Sequence, residues 1–214
     1  MFADFEGAAR QCYEDRQGAW RNAKHQWQWL NTLETHVFPR LGKRRLDAAL
    51  EAFDGEVTLR WRSFELDPNA PTMPEGTAPE RLASKYGTSP DEAAGRMRQL
   101  EALAAQDGLE LDLTNATGGN TFDGHRLVHL AREHGLDTEL KERLFRAYHS
   151  ERAPIADHAV LRAICTEVGL PDDEVVATLE SDRFTEEVRA DELLAQQLKI
   201  TGVPCFIVDK ERGA

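Results

Sequence analysis

The chain has 214 residues, 41% of them hydrophobic and 30% charged, with a net charge of −12. That length fits one large domain or two small ones, the composition is that of an ordinary globular protein, and the negative charge argues against nucleic acid and anionic membranes as partners. No apolar run approaches the ~20 residues of a membrane span, and the three cysteines, Cys12, Cys165 and Cys205, are too few and too scattered for a disulfide framework or a zinc cage.

The first 41 residues carry Trp20, Trp27 and Trp29, three of the four tryptophans, without a clean helical or strand period. HQWQWL (25–30) alternates like a short strand, while FEGAARQCYEDRQGAWRNAKHQW (5–27) also fits a loose amphipathic helix. The N-terminus lacks a basic stretch followed by an apolar one, so no secretory signal is expected and the expected compartment is the cytoplasm.

From Gly42 the pattern sharpens. GKRRLDAALEAF (42–53) reads as a helix with Leu46, Ala49, Leu50 and Phe53 on one face. VTLRWRSFEL (57–66) alternates as a strand, with Val57, Leu59, Trp61 and Ser63 on one side and Thr58, Arg60, Arg62 and Phe64 on the other. Four prolines make 67–79 a loop. Thr77 or Pro79 opens a helix through ERLASKYG, and Ser89 caps another over 90–108. LELDL (109–113) reads as a short strand or extended segment.

Next, a Gly-rich turn meets a helix in ATGGNTFDGHRLVHLAREHG (116–135), with Phe122, Leu127 and Leu130 inward. Further helices are predicted in 137–151, 157–170, 171–181 and 183–199, and CFIVDK closes the chain as a strand. No internal repeat or low-complexity segment interrupts this order.

Four separated stretches, WRSFELDPNAP, NTFDGHRLVHLARE, LFRAYHSERAPIADHAVLRAICTEVGL and TGVPCFIVD, together resemble the FrnE-like branch of the DsbA family. That branch is related to 2-hydroxychromene-2-carboxylate isomerases and kappa-class glutathione transferases. The resemblance covers about residues 42–212. It implies an α/β, thioredoxin-like fold with an inserted helical domain: a thioredoxin-like domain from 1–67 and 186–214, and a helical domain from 68–185. It also implies a thiol–disulfide oxidoreductase acting on a thiol or small-molecule substrate, often as a homodimer, with some relatives tied to polyketide biosynthesis.

The same resemblance places the reactive site. Val203-Pro204 would be a cis peptide before the last strand, with Val203 a substrate-binding position and Pro204 and Cys205 at the catalytic edge. Read from its neighbours alone, Cys205 is a small apolar strand residue. The family's Cys-Pro-x-Cys pair would fall at His36 and Pro39, in THVFPRLG, so both thiols are missing. Disulfide exchange needs an attacking thiolate and a second thiol to resolve the mixed disulfide, and imidazole does neither. A redox-inactive member is therefore expected. Residues 1–41 are read as a replaced or out-of-frame segment, and the stop at Ala214 as having a similar origin.

Two other readings stay open. One is a cofactor-independent or glutathione-dependent isomerase or transferase, with Thr35 the nearest hydroxyl to the helix start. The other is a non-enzymatic ligand-binding or chaperone-like protein. No cofactor other than glutathione is implied. Asn120 and His125, after Gly118 and Gly119, would line a substrate or glutathione pocket; Asn120 is equally an N-terminal cap. His125, His129 and Glu133 share a helix face at metal-ligand spacing but lack a further convergent ligand, so no metal is expected. Cys165 sits among Leu161, Ile164 and Val168 on an apolar face and reads as core.

Overall fold

The structure is a computed structural model. It describes residues 57–106, 108–203, 205 and 207. The helix at 42–53, the HQWQWL segment, Cys12, Thr35, His36, Pro39 and Pro204, with its peptide bond to Val203, lie outside the described residues. The chain divides into two compact units, 61–193 and a second formed by 1–60 with 194–214.

The 61–193 unit is helical among its described residues. Its helices are α1 (Ala78–Tyr86), α2 (Pro90–Gln106), α3 (Phe122–Glu133), α4 (Asp137–His149), α5 (His158–Val168) and α6 (Asp172–Leu179), with a single 3-10 turn at Leu113–Asn115. The last helix, α7 (Thr185–Gln197), begins in this unit and runs past its end.

The helix starts follow from side-chain chemistry. Thr77 and Glu80 form a reciprocal capping box at α1, with the Thr77 N–H donating to Glu80 at 2.7 Å. Ser89 and Glu92 repeat it at α2, where the Ser89 N–H reaches Glu92 Oε2 at 3.1 Å and the Glu92 N–H reaches Ser89 Oγ at 3.2 Å. Each box satisfies two backbone donors that a helix start would otherwise leave open. Asp157 caps α5 through the Ala159 N–H at 2.7 Å, and Gly169 ends that helix in the left-handed region at φ 94°.

Helices α1 and α2 pack as a hairpin against the 3-10 turn, while α3 packs on α4, α4 on α5, α5 on α6 and α6 back on α3. The second group is a closed ring of four. Leu127 and Leu130 from α3, Leu140 from α4 and Leu161 from α5 are fully enclosed in it, with Val175 from α6 beside them. Burying each large aliphatic side chain is worth about 1.5–3 kcal/mol. Leu127 and Leu130 take the inward places expected of them, while Phe122 is half-buried.

Arg126 latches the ring. Its guanidinium is buried and donates to the carbonyls of Thr178, Ser181 and Arg183, the last at 2.9 Å, and pairs with Asp123 at 2.7 Å. A cation on the last carbonyls of α6 satisfies acceptors that the helix end leaves open.

The strand expected at 57–66 is not formed among the described residues. The alternation is physically present, since Ser63 and Glu65 are buried while Arg62 and Leu66 are exposed. What differs is the backbone partner. The Ser63 N–H donates to the Asp191 carboxylate at 3.0 Å and the Trp61 carbonyl accepts from Arg132. Side chains thus take the bonds a neighbouring strand would have made. Residues 109–112 form neither helix nor strand, and no strand is formed at 205 or 207.

Candidate functional site

The polar residues of the 61–193 unit gather where the Trp61–Glu65 segment meets α3 and the first part of α7. Trp61 anchors the segment: its Nε1 donates to Thr138 Oγ1 at 2.9 Å, and Lys141 Nζ lies 3.4 Å from its ring centroid.

Behind it, Ser63, His129 and Asp191 are all buried. His129 Nε2 lies 3.2 Å from Ser63 Oγ and 3.3 Å from Asp191 Oδ2. Arg132 Nη1 stands 3.2 Å from His129 Nδ1. A guanidinium only donates, so Nδ1 is the acceptor and the proton sits on Nε2. Arg62 adds an ion pair to Asp191 at 2.5 Å. Burial pushes the Asp191 carboxyl up, but the bonds from His129, the Ser63 N–H and Arg62 outweigh it and hold it at about 2.

Ser, His and Asp in contact invite comparison with a hydrolytic triad, and the geometry rejects it. A triad needs serine on one imidazole nitrogen and carboxylate on the other. Here both converge on Nε2 and arginine takes Nδ1. The cluster fastens the segment to two helices.

His125 lies one turn earlier on α3 and is half-buried. Desolvation pushes its pKa down to about 4, against the pull of the Glu192 carboxylate, so the imidazole is neutral near pH 7. Close by, Arg189 Nη1 bridges Glu65 at 2.7 Å and Glu192 at 2.6 Å, and its guanidinium stacks over Phe122 at 4.3 Å. Burial raises the Glu65 pKa; Arg189 opposes that shift and Glu192 reinforces it.

Asn120 spends its side chain on the backbone. Its Nδ2 donates to the Ala70 carbonyl at 3.1 Å and its Oδ1 accepts from the Phe122 N–H at 2.8 Å. The glycines before it serve packing: Gly119 has φ 124°, and a Cβ there would stand 2.8 Å from the Thr72 carbonyl oxygen. The structure therefore brings His125 beside charged groups and turns Asn120 toward the 70–72 loop. Val203 is exposed and Cys205 half-buried.

The metal-like spacing on α3 is dispersed. His129 faces Ser63 and Asp191, and Glu133 pairs with Arg183 at 2.7 Å. Among the described residues no three His, Cys, Asp or Glu side chains converge on a metal position. Cys165 is fully buried, and burial pushes its thiol up to about 12. It is packed as the sequence predicts.

Sequence reasoning missed Glu65, Arg189, Asp191 and Glu192. Glu65 carried a readable signal: it continues the inward side of the Trp61–Ser63 alternation, and a carboxylate placed inward demands a partner.

Comparison with known proteins bears on what this scaffold is. Residues 38–214 match the model of the DSBA-like thioredoxin domain. Residues 5–51 match that of the phage integrase central domain, overlapping the first match at 38–51. A probable DsbA oxidoreductase from Streptomyces coelicolor, known from a crystal structure, is 39% identical with a TM-score of 0.63. The alignment covers 67% of this chain and 62% of that protein's length. None of the curated proteins matches. With most of its length under one family model, the chain belongs to the DSBA-like thioredoxin domain family.

Proposed function

We propose that this chain is a FrnE-like DsbA-family protein that has lost the thiol–disulfide exchange step and keeps a binding role toward a thiol or small-molecule substrate. The observation that carries the reading is the distribution of cysteines. The chain has three, at 12, 165 and 205, and no two lie close enough in sequence to form the short loop that exchange requires. One of them, Cys165, is packed in the core with its thiol pushed up to about 12, a poor nucleophile near neutrality.

The match to the integrase family supports the same reading. It covers His36, and the DSBA-like match begins just after that position. In this proposal the residues upstream of Gly42 replace the family's first strand and cysteine pair. The thioredoxin-like α/β unit, the cis Val203-Pro204 bond, a homodimer, a cytoplasmic location and a link to polyketide chemistry belong to the proposal through the family resemblance.

The test is reduction of insulin by dithiothreitol in the presence of the purified protein. The expected rate is that of dithiothreitol alone. Catalysed turnover that survives Cys205→Ser would place a working redox centre elsewhere and overturn the reading.

A further inference from the structure

The Glu65–Arg189–Glu192 group is unbalanced. The Glu65 side chain is completely enclosed, and one nitrogen of Arg189 serves both carboxyl groups. The other oxygen of each, Glu65 Oε1 and Glu192 Oε1, is buried without a hydrogen-bond partner. Two ionised carboxylates would put two negative charges on one guanidinium and leave two acceptors bare, which a water-poor site penalises.

Among the described residues, the charged and titratable groups facing the pair offer no relief. From α7 comes Arg189, already shared. From α3 comes His125, whose imidazole is neutral at pH 7 because burial lowers its pKa to about 4. Asp191 and Arg62, next along α7 and the segment, are committed to each other. The missing component is a hydrogen: one proton on the pair removes one of the two negative charges and turns a bare acceptor into a donor.

We propose that Glu65 and Glu192 share one proton above Arg189, making the junction between the Trp61–Glu65 segment and α7 a pH-sensitive clamp that closes when the proton is held and loosens when it leaves. The reaction is acid–base only: the O–H proton passes to water or hydroxide, and a second anion remains on the clamp. Like-charge carboxyl pairs resist losing their last proton, in line with the raised pKa of Glu65, whose first cause is burial.

The sign follows. A carboxyl whose folded pKa is raised binds its proton more tightly folded than unfolded, so folding stability declines as pH rises through the folded value.

Thermal melts of the full chain at pH 5 and pH 8 test this, with Glu65→Gln and Glu192→Gln. Glutamine supplies the N–H that the proton would have supplied. Each variant is expected to melt about 2–4 °C higher than the parent at pH 8 and no higher at pH 5. A difference of equal size at both pH values, or a loss at pH 8, overturns the proposal. Infrared difference spectra of the unmutated protein give a second readout that needs no variant to fold. A protonated-carboxyl band persisting above the pH at which an ordinary glutamate ionises supports the shared proton, and its absence there overturns it.

Discussion

The backbone N–H of Ser63 donates to the carboxylate of Asp191, 128 residues later, at 3.0 Å. One acidic side chain on α7 thus replaces a strand partner for the extended segment, while its other oxygen pairs with Arg62 at 2.5 Å.

Replacing Asp191 should therefore destabilise the fold more than an average surface change. Asp191→Leu strands the Ser63 N–H in an enclosed site, at about 1–3 kcal/mol for a donor left bare, and leaves the His129 Nε2–H with Ser63 Oγ as its acceptor. Urea unfolding should show a lower midpoint with little change in slope. A midpoint equal to the parent's would mean that the segment is held elsewhere.

Asp191 also sets an acid limit. Its carboxyl is held at about 2, below the ordinary 3.8. A lowered carboxyl pKa means the unfolded chain takes up the proton first, so the contribution is complete above about pH 4 and is lost as pH falls through about 2. The stability gap between the parent and Asp191→Asn should hold steady from pH 7 to pH 5 and shrink below pH 4. A gap that widens with acid would contradict this.

His125 should resist protonation in the folded protein. Its pKa is pushed from 6.5 to about 4, first by burial. The unfolded chain binds that proton more readily, so stability declines as pH drops from about 6.5 toward 4. Following the His125 ring signals by NMR should show no titration between pH 7 and pH 5. A midpoint near 6.5 would place the ring in solvent.

The buried thiol of Cys165 should be silent in the native state. Alkylation at pH 8 followed by mass spectrometry should leave it unmodified until the protein is unfolded, since both its ionisation and its access are suppressed. Native modification at a rate near that of the unfolded chain would show that the four-helix ring opens readily.

The helical unit was largely legible in the sequence because its signals are local. Thr77 with Glu80 and Ser89 with Glu92 lie three residues apart, and the spacing of Leu127 and Leu130 reports the helix face directly. The 57–66 segment shows where locality ends. Alternation states which side chains turn inward, but not whether the backbone bonds to a strand or to carboxylate and guanidinium groups far along the chain. His125 could be seen as a helix-face residue near a turn. Its neighbours Glu192 and Arg189 could not, because the α3–α7 approach depends on everything folded between them.

The ring of α3, α4, α5 and α6 has a kinetic consequence. Three of its four contacts join helices consecutive in the chain, so most of the core forms at low contact order, the condition for rapid assembly. Only the return of α6 to α3 spans the whole ring. The Arg126 guanidinium makes that closure, gathering the carbonyls of Thr178, Ser181 and Arg183. Those steps draw on residues 122–183 alone. A ribosome that has released Arg183 has therefore already delivered every part the ring needs to close.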